Sequence, residues 1–206
     1  LGASGYTGAE LLRLLQNHPA FAIVALTGDS QAGKPMDAVY PHLRARNLPA
    51  LVKHTEVDFS KIELVFCCLP HGTTQEIIAG LPQHIKIVDL SADFRLFDGA
   101  AYEEWYGHPH QALELQKEAV YGVTELNREA VKAARLVANP GCYPTSILLP
   151  MIPLVEAKLV NPRSIGADSM SGVSGAGRSA PATTPWKNAT TRSRSSTVGD
   201  RTGASR

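Results

Sequence analysis

The sequence lacks a long apolar run, a strong net charge and a cysteine framework, and each absence excludes a class of protein. No apolar segment approaches the roughly 18 residues of a membrane span. The net charge of +1 at pH 7 supplies no field that would attract nucleic acid or an anionic membrane. Three cysteines, two of them adjacent at Cys67 and Cys68, match neither a disulfide framework nor a metal site. We therefore expect small-molecule chemistry without a bound metal, no nucleic-acid or membrane partner, and a cytoplasmic location.

Apolar runs alternate with helical patterns through residues 1–139. Strands are predicted at Phe21–Leu26, Ile62–Leu69, Ile85–Leu90 and Arg135–Ala138, and helices at Ala9–His18, Thr73–Ala79 and Leu126–Ala134. Runs that are apolar throughout are typical of parallel strands buried on both faces. The alternation therefore predicts an α/β fold, a Rossmann-like doubly wound parallel sheet.

The composition predicts three regions. Residues 1–139 form the Rossmann-like domain, whose first strand is missing because a glycine loop opens at Gly2. Residues 140–178 begin a second domain, where apolar residues recur at helical spacing and Pro150 and Pro153 should kink or confine the helix. Residues 179–206 are rich in Ser, Thr and Arg and poor in large apolar side chains, which predicts a disordered or aberrant tail.

The glycine loop is the first candidate site. Gly2, Gly5 and Gly8 have the spacing Gly-x-x-Gly-x-x-Gly and lead directly into the first predicted helix. Such glycines let the backbone approach a diphosphate, whose charge is stabilised by the N–H groups at the start of the helix. A plain glycine turn would show the same residues, but the helix and strand that follow favour a dinucleotide site.

The residues near this loop leave the choice between NAD and NADP open. Asp29 stands about where a carboxylate binds the ribose hydroxyls of NAD. Four nearby side chains could instead bind a 2′-phosphate, namely Ser30, Lys34, Arg44 and Arg46.

Cys142 is the candidate nucleophile. It lies in the turn Asn139-Pro140-Gly141-Cys142-Tyr143-Pro144-Thr145, where Pro144 suits a first helical position. A thiol at a helix N-terminus is shifted toward the nucleophilic thiolate, although a cysteine that merely caps a turn is the alternative. Cys67 and Cys68 lie in an apolar strand and are interpreted as inert packing.

A dinucleotide loop followed by an activated cysteine predicts a specific reaction. The thiolate would attack an acyl carbon to form a thioester, and a hydride would then reduce the thioester to an aldehyde. Arg95 or Arg178 could bind a phosphate leaving group, with solvated surface charge as the alternative interpretation.

Five segments in order, GASGYTG (2–8), CLPHG (68–72), VDLSADFR (88–95), NPGCYPT (139–145) and SGVSGAGR (171–178), resemble the N-acetyl-gamma-glutamyl-phosphate reductase family of arginine biosynthesis. The resemblance implies a Rossmann-like NADP domain joined to an α+β catalytic domain of the aspartate-semialdehyde dehydrogenase type. It also implies NADPH-dependent reduction of N-acetyl-L-glutamyl 5-phosphate, a small acyl phosphate, to N-acetyl-L-glutamate 5-semialdehyde plus phosphate.

The same resemblance assigns roles to individual residues, with Cys142 as the nucleophile. The residues implied to contact the cofactor are Gly2, Ser4, Gly5, Tyr6, Thr7, Gly8, Leu69, Pro70, His71, Ser171, Gly172 and Gly175. Those implied to border the substrate are Ser91, Arg95 and Asn139. Because the family uses NADP, the resemblance favours NADP over the NAD that Asp29 indicates.

The sequence also departs from that family. Members are longer and carry a histidine acid or base beyond the cysteine, whereas all seven histidines here precede Cys142. A truncated chain is therefore expected, and two alternatives stay open: the related aminoadipyl-phosphate reductase of lysine biosynthesis, and a non-catalytic NADP-binding fragment. A homo-oligomer is compatible with the sequence, which locates no interface.

Overall fold

Parallel strands flanked by helices organise the first of two units. The computed structural model describes residues 1–169, 172–177 and 193–194. It divides into two compact units, residues 1–140 and residues 141–206. The helices are α1 (Tyr6–Leu15), α2 (Met36–Val39), α3 (Thr74–Ala79), α4 (Gly99–Tyr106), α5 (Leu113–Gln116), α6 (Thr124–Ala133) and α7 (Cys142–Glu156). The strands are β1 (Leu26–Thr27), β2 (Leu51–Val52), β3 (Leu64–Cys67), β4 (Lys86–Asp89), β5 (Ala119–Tyr121), β6 (Leu136–Ala138), β7 (Asp168–Ser169) and β8 (Ser193–Arg194).

The main sheet has the order β3-β4-β6-β5, and every neighbouring pair is parallel. A second parallel pair joins β1 to β2. Parallel neighbours require crossover connections, and α3 and α6 supply helices between β3 and β4 and between β5 and β6. The predicted α/β fold with parallel strands and crossover helices is confirmed.

Two apolar clusters hold the first unit together. One lies on the main sheet and contains Ile78, Ile87 and Leu136, all at most 1% exposed. The other packs α1 against β1 and β2, through Leu12 and Leu51 among others. Each fully buried side chain of this size contributes about 1.5–3 kcal/mol relative to an exposed one.

Most predicted elements appear with altered ends. β3, β4 and β6 lie within the predicted apolar runs, and α3 and α6 differ from prediction by one or two residues at an end. The first helix begins at Tyr6 rather than Ala9, because the glycine loop closes directly into it. Helix α4 and the short strand β5 were not predicted from the sequence.

The predicted strand Phe21–Leu26 is wrong over most of its length, since only Leu26 and Thr27 are in a strand. Residues 21–25 lie along an apolar groove of about 600 Å³ whose far side is formed by β3. Leu1 reaches β3 at the end of this groove, where its amino group donates to Phe66 O (2.7 Å) and its carbonyl accepts from Cys68 N (2.9 Å). A strand needs a hydrogen-bonded neighbour, and apolar character alone does not reveal whether one is present.

The second unit contains α7, which is one helix from Cys142 to Glu156 with Pro150 and Pro153 inside it. The prolines are predicted to kink the helix or to confine it to part of this segment. Confinement is wrong, because the helix continues through both prolines to Glu156, and a kink stays a prediction. Each proline removes one backbone hydrogen bond from the helix.

The tail prediction falls mostly outside the described residues. Ser193 and Arg194 form β8, which pairs antiparallel with β7. For the remainder of 179–206 the disordered or aberrant tail stays a prediction. In the part of the chain that the structure describes, no helix has both the length and the apolar character needed to cross a membrane.

Candidate cofactor site and candidate nucleophile

The glycine loop is held between two strands. Ala3 N donates to Thr27 O (2.7 Å) and Gly2 N donates to the Thr27 hydroxyl (3.2 Å), so the loop is tied to the end of β1. Tyr40 OH donates to Ser4 O (3.0 Å) from the other side. The loop is therefore fixed by contacts with folded elements, as a phosphate-binding loop must be.

Two of its glycines have no room for a side chain. Gly2 has φ +71°, and a methyl group there would lie 2.6 Å from Cys68 O. A methyl group on Gly8 would lie 2.6 Å from Ala3 Cα, because the first turn of α1 packs directly on the loop. The loop thus requires glycine for backbone conformation at one position and for close approach at the other.

The start of α1 fits a diphosphate. Gly5 caps the helix without a side chain, and the first turn carries no acidic residue. The helix begins with the N–H groups of Tyr6 and Thr7, which together with the dipole favour an anion. These residues would hold the phosphates of a dinucleotide.

The loop that follows β3 lies beside the glycine loop, since a methyl group on Gly2 would come within 3.2 Å of Leu69 Cδ2. His71 Nδ1 accepts a hydrogen bond from Ala92 N (2.8 Å), which leaves the proton of a neutral imidazole on Nε2. The structure therefore brings the predicted cofactor residues of 2–8 and Leu69 together.

A buried carboxylate fixes this second loop. Asp93 is fully buried, and its Oδ1 accepts from Gly72 N (2.7 Å) and from Tyr102 OH (3.1 Å). Its Oδ2 accepts from the backbone N–H (3.1 Å) and the hydroxyl (2.7 Å) of Thr74. Four donors thus converge on one side chain that the sequence reasoning missed. No local sequence signal marks it, because Gly72 and Thr74 lie 21 and 19 residues away from it.

Ser91 lies in the same network, 1% exposed. Its hydroxyl donates to Asp89 Oδ2 (2.6 Å) and lies 2.9 Å from the Thr74 hydroxyl. Burial raises the pKa of Asp89 to about 6, against the hydrogen bonds from Ser91 that act to lower it. A contact between Ser91 and substrate stays a prediction. The contacts observed for Ser91 are structural.

Arg95 joins the carboxyl ends of two strands. Its Nε donates to Asn139 O (2.8 Å) after β6, and its Nη2 donates to Leu90 O (3.0 Å) after β4. The side-chain amide of Asn139 donates to Pro140 O (3.1 Å). Arg95 and Asn139 are therefore adjacent, as two residues of one substrate site would be, and their predicted roles remain predictions.

Cys142 is the first residue of α7 and is exposed. Thr145 closes the first turn by donating from its N–H (3.0 Å) and its hydroxyl (2.8 Å) to Gly141 O. No acidic residue lies in this turn, so the thiol faces only the positive end of the helix dipole there. Pro144 occupies the third helical position, which corrects the predicted first position.

The other two cysteines differ from Cys142. Burial raises the pKa of Cys67 to about 12 and that of Cys68 to about 11. Cys67 is buried and Cys68 is half-buried, which agrees with packing roles, and their inertness stays a prediction.

Three further predicted cofactor residues fall in the second unit, namely Ser171, Gly172 and Gly175. Gly172 and Gly175 lie in a tight turn, where Gly175 N donates to Gly172 O (3.0 Å). Ser171, Arg178 and the side chain of Arg46 lie outside the described residues. Within the described ranges, no group of three or more His, Cys, Asp or Glu side chains could hold a metal ion.

The two units match two different domain families. The profile described as "Semialdehyde dehydrogenase, NAD binding domain" matches residues 1–134, and "Semialdehyde dehydrogenase, dimerisation domain" matches residues 142–198. A solved structure, aspartate semialdehyde dehydrogenase II from Vibrio cholerae, is similar with a TM-score of 0.55 at 19% identity, over 86% of this chain and 46% of that one. At that identity the likeness shows the fold alone.

Curated relatives are closer in sequence. A probable chloroplastic N-acetyl-gamma-glutamyl-phosphate reductase of Arabidopsis thaliana is 64% identical over 87% of this chain and 45% of its own length. The rice protein of the same name is 63% identical over 87% and 43%. N-acetyl-gamma-glutamyl-phosphate reductase of Rhodospirillum rubrum is 57% identical over 87% and 53%. The chain spans about half the length of the curated relatives it matches.

Proposed function

The chain belongs to the semialdehyde dehydrogenase family, and from that premise we propose that it acts in the NADPH-dependent reduction of N-acetyl-L-glutamyl 5-phosphate to N-acetyl-L-glutamate 5-semialdehyde and phosphate. The observation that carries the proposal is the glycine loop fixed beside Leu69 in one unit, with an exposed Cys142 opening a helix in the other. The names of relatives at 57–64% identity support the choice of substrate.

The proposed chemistry assigns a defined role to Cys142. Its thiolate forms a bond to the acyl carbon of the substrate, and the phosphate leaves with the electron pair of the broken C–O bond. NADPH, when bound, supplies the hydride that reduces the thioester. The C–S bond then breaks, which releases the aldehyde and restores the thiolate of Cys142. In this proposal the N–H groups at the start of α7 stabilise negative charge on the acyl oxygen.

The proposal extends to assembly and location. The match of residues 142–198 to a dimerisation domain supports a homodimer, which light scattering on purified protein would measure. Three cysteines without disulfides favour a reducing compartment, and the cytoplasm is proposed. The chloroplast, named for two plant relatives, is the alternative, and organelle fractionation distinguishes the two.

The test of the proposal measures phosphate-dependent reduction of NADP by N-acetylglutamate semialdehyde. Cys142→Ser should lower the rate by roughly a thousandfold or more, because a hydroxyl is a much weaker nucleophile. Ser146→Ala, on the exposed side of the same helix, should leave the rate unchanged. Equal rates for the unmodified chain and Cys142→Ser would contradict the nucleophile assignment.

Two further arms address the alternatives. Aminoadipate semialdehyde offered in the same assay tests the lysine-pathway substrate. Brief treatment with iodoacetamide should modify the exposed Cys142 and spare Cys67 and Cys68. A chain that binds NADPH and reacts at Cys142 without turnover would support the second candidate, a non-catalytic NADP-binding protein.

A further inference from the structure

Asp29 lies where an acidic residue would prefer NAD over NADP. It follows β1 directly, and the glycine loop is tied to that strand through Ala3 and Thr27. A methyl group on Gly28 would lie 3.0 Å from the Ser4 hydroxyl, so the turn that carries Asp29 packs against the loop itself. A free carboxylate at this position binds ribose hydroxyls and repels a 2′-phosphate.

The carboxylate of Asp29 is engaged by one other residue. Its Oδ2 lies 2.8 Å from His54 Nδ1, and its Oδ1 accepts a hydrogen bond from His54 N (3.1 Å). The turn that carries His54 is itself fixed, because Lys53 N donates to Glu56 Oε2 (3.0 Å). Both carboxylate oxygens therefore point to the turn after β2. The hydrogen bonds from His54 also lower the pKa of Asp29, which keeps the group ionised and paired.

We propose that the Asp29–His54 pair determines the preference for NADPH: the two hydrogen bonds with His54 hold the Asp29 carboxylate away from the ribose edge. Each carboxylate oxygen of Asp29 then has a hydrogen bond with His54, and the exposed Ser30 on the same turn is left to meet a 2′-phosphate. Lys34 is placed near this turn by its hydrogen bond to Gln31 Oε1 (2.9 Å) and supplies a positive charge. The inference rests on the proposed binding of NADP and adds how the chain selects it.

The pair accounts for a conflict within the sequence. Asp29 by itself indicates NAD, whereas the family resemblance implies NADP. The signal that resolves the conflict is 25 residues away from Asp29, in His54, and becomes visible only when β1 and β2 pair. His54 is therefore a specificity-determining residue and not a catalytic one.

The experiment measures dissociation constants for NADPH and NADH by fluorescence titration of the full chain. Four proteins carry the test: the unmodified chain, His54→Ala, Asp29→Asn and the double variant. His54→Ala frees the carboxylate to turn toward the nucleotide and should lower the NADPH preference about tenfold, the size expected when one like charge comes within a few ångströms of a phosphate at the surface. Asp29→Asn should keep NADPH affinity within about twofold, and the double variant should restore the preference.

Two controls separate the pair from unrelated effects. Glu129→Gln removes a negative charge from an exposed ion pair with Lys132 on α6 and should leave the ratio unchanged. His54→Asn keeps the backbone donor and a side-chain donor without the imidazole, so it should retain more of the preference than His54→Ala. Should His54→Ala fail to fold, Asp29→Asn and His54→Asn still decide the matter.

The outcomes distinguish the inference from the function on which it rests. An unmodified chain that binds neither nucleotide overturns the proposed function and the inference together. Normal NADPH binding with an unchanged NADPH to NADH ratio in His54→Ala, or a large loss of NADPH affinity in Asp29→Asn, overturns the inference alone. A selective loss of NADPH affinity that Asp29→Asn reverses supports it.

Discussion

The perturbation that most directly tests the site architecture is Asp93→Asn. The carboxylate accepts hydrogen bonds from two backbone N–H groups, Gly72 and Thr74, one on each oxygen. In asparagine an amino group replaces one of the two oxygens. That amino group can only donate, so it cannot accept the hydrogen bond from the backbone N–H group that it faces. The two bonds to that oxygen are lost inside a fully buried site. At about 1.5–3 kcal/mol for each hydrogen bond to a charged group, the expected cost is about 3–6 kcal/mol of unfolding free energy.

Urea denaturation followed by far-UV circular dichroism measures this cost, because the helices and strands of this unit lose their signal when it unfolds. Thr74→Val is the matched variant, since it deletes one hydroxyl donor to Asp93 and should cost about 1–2 kcal/mol. Asp93→Asn should also weaken NADPH binding in the folded protein, because the Gly72 N–H no longer holds the loop beside Leu69. A cost below about 1 kcal/mol for Asp93→Asn would refute the reasoning that the carboxylate organises this loop.

Two more substitutions test the same unit. Gly8→Ala should cost about 1–3 kcal/mol and weaken NADPH binding, because its methyl group meets Ala3 at 2.6 Å; Gly166→Ala, with nothing within 4 Å, is the control, and equal effects in the two would contradict the packing argument. Asp89 has its pKa raised from 3.8 to about 6, so protonation favours the native state, and this contribution is present below about pH 4 and lost as pH rises through 6. Asp89→Asn should remove up to about 3 kcal/mol of that pH dependence in denaturation titrations between pH 4 and 7; a slope equal to that of the unmodified chain would show that Asp89 does not cause it.

The fold was largely predictable. A continuous apolar run indicates a strand that is buried on both faces, and apolar residues at helical spacing indicate a helix that is buried on one face. β3, β4 and β6 follow from that rule. The predicted strand at 21–26 is not formed over most of its length. A strand needs a hydrogen-bonded neighbouring strand, and residues 21–25 have no such neighbour among the described residues. The short strand β5 has only three residues, too few for a pattern to stand out.

The candidate site likewise contains residues that the sequence predicted and residues that it did not. The glycine spacing indicated the loop, and NPGCYPT placed Cys142 at the start of a helix, since both signals are local in sequence. Asp93, Tyr40 and His54 carry no such signal, because each acts on a residue 19 or more positions away. Local patterns describe backbone conformation and cannot describe contacts between distant segments.

The amino-acid sequence by itself determined the class of fold, the glycine loop and the cysteine at a helix start, because glycine conformations and helix caps are set by a few neighbouring residues. Only the tertiary structure decided what surrounds them. The sequence indicated a ribose-binding carboxylate at Asp29, and the structure shows that Asp29 is hydrogen-bonded to His54. The structure also shows that Asp93, which the sequence does not distinguish from other acidic residues, holds a loop in place. Both depend on the pairing of β1 with β2 and on the crossover to α3, which bring together groups that the chain keeps apart.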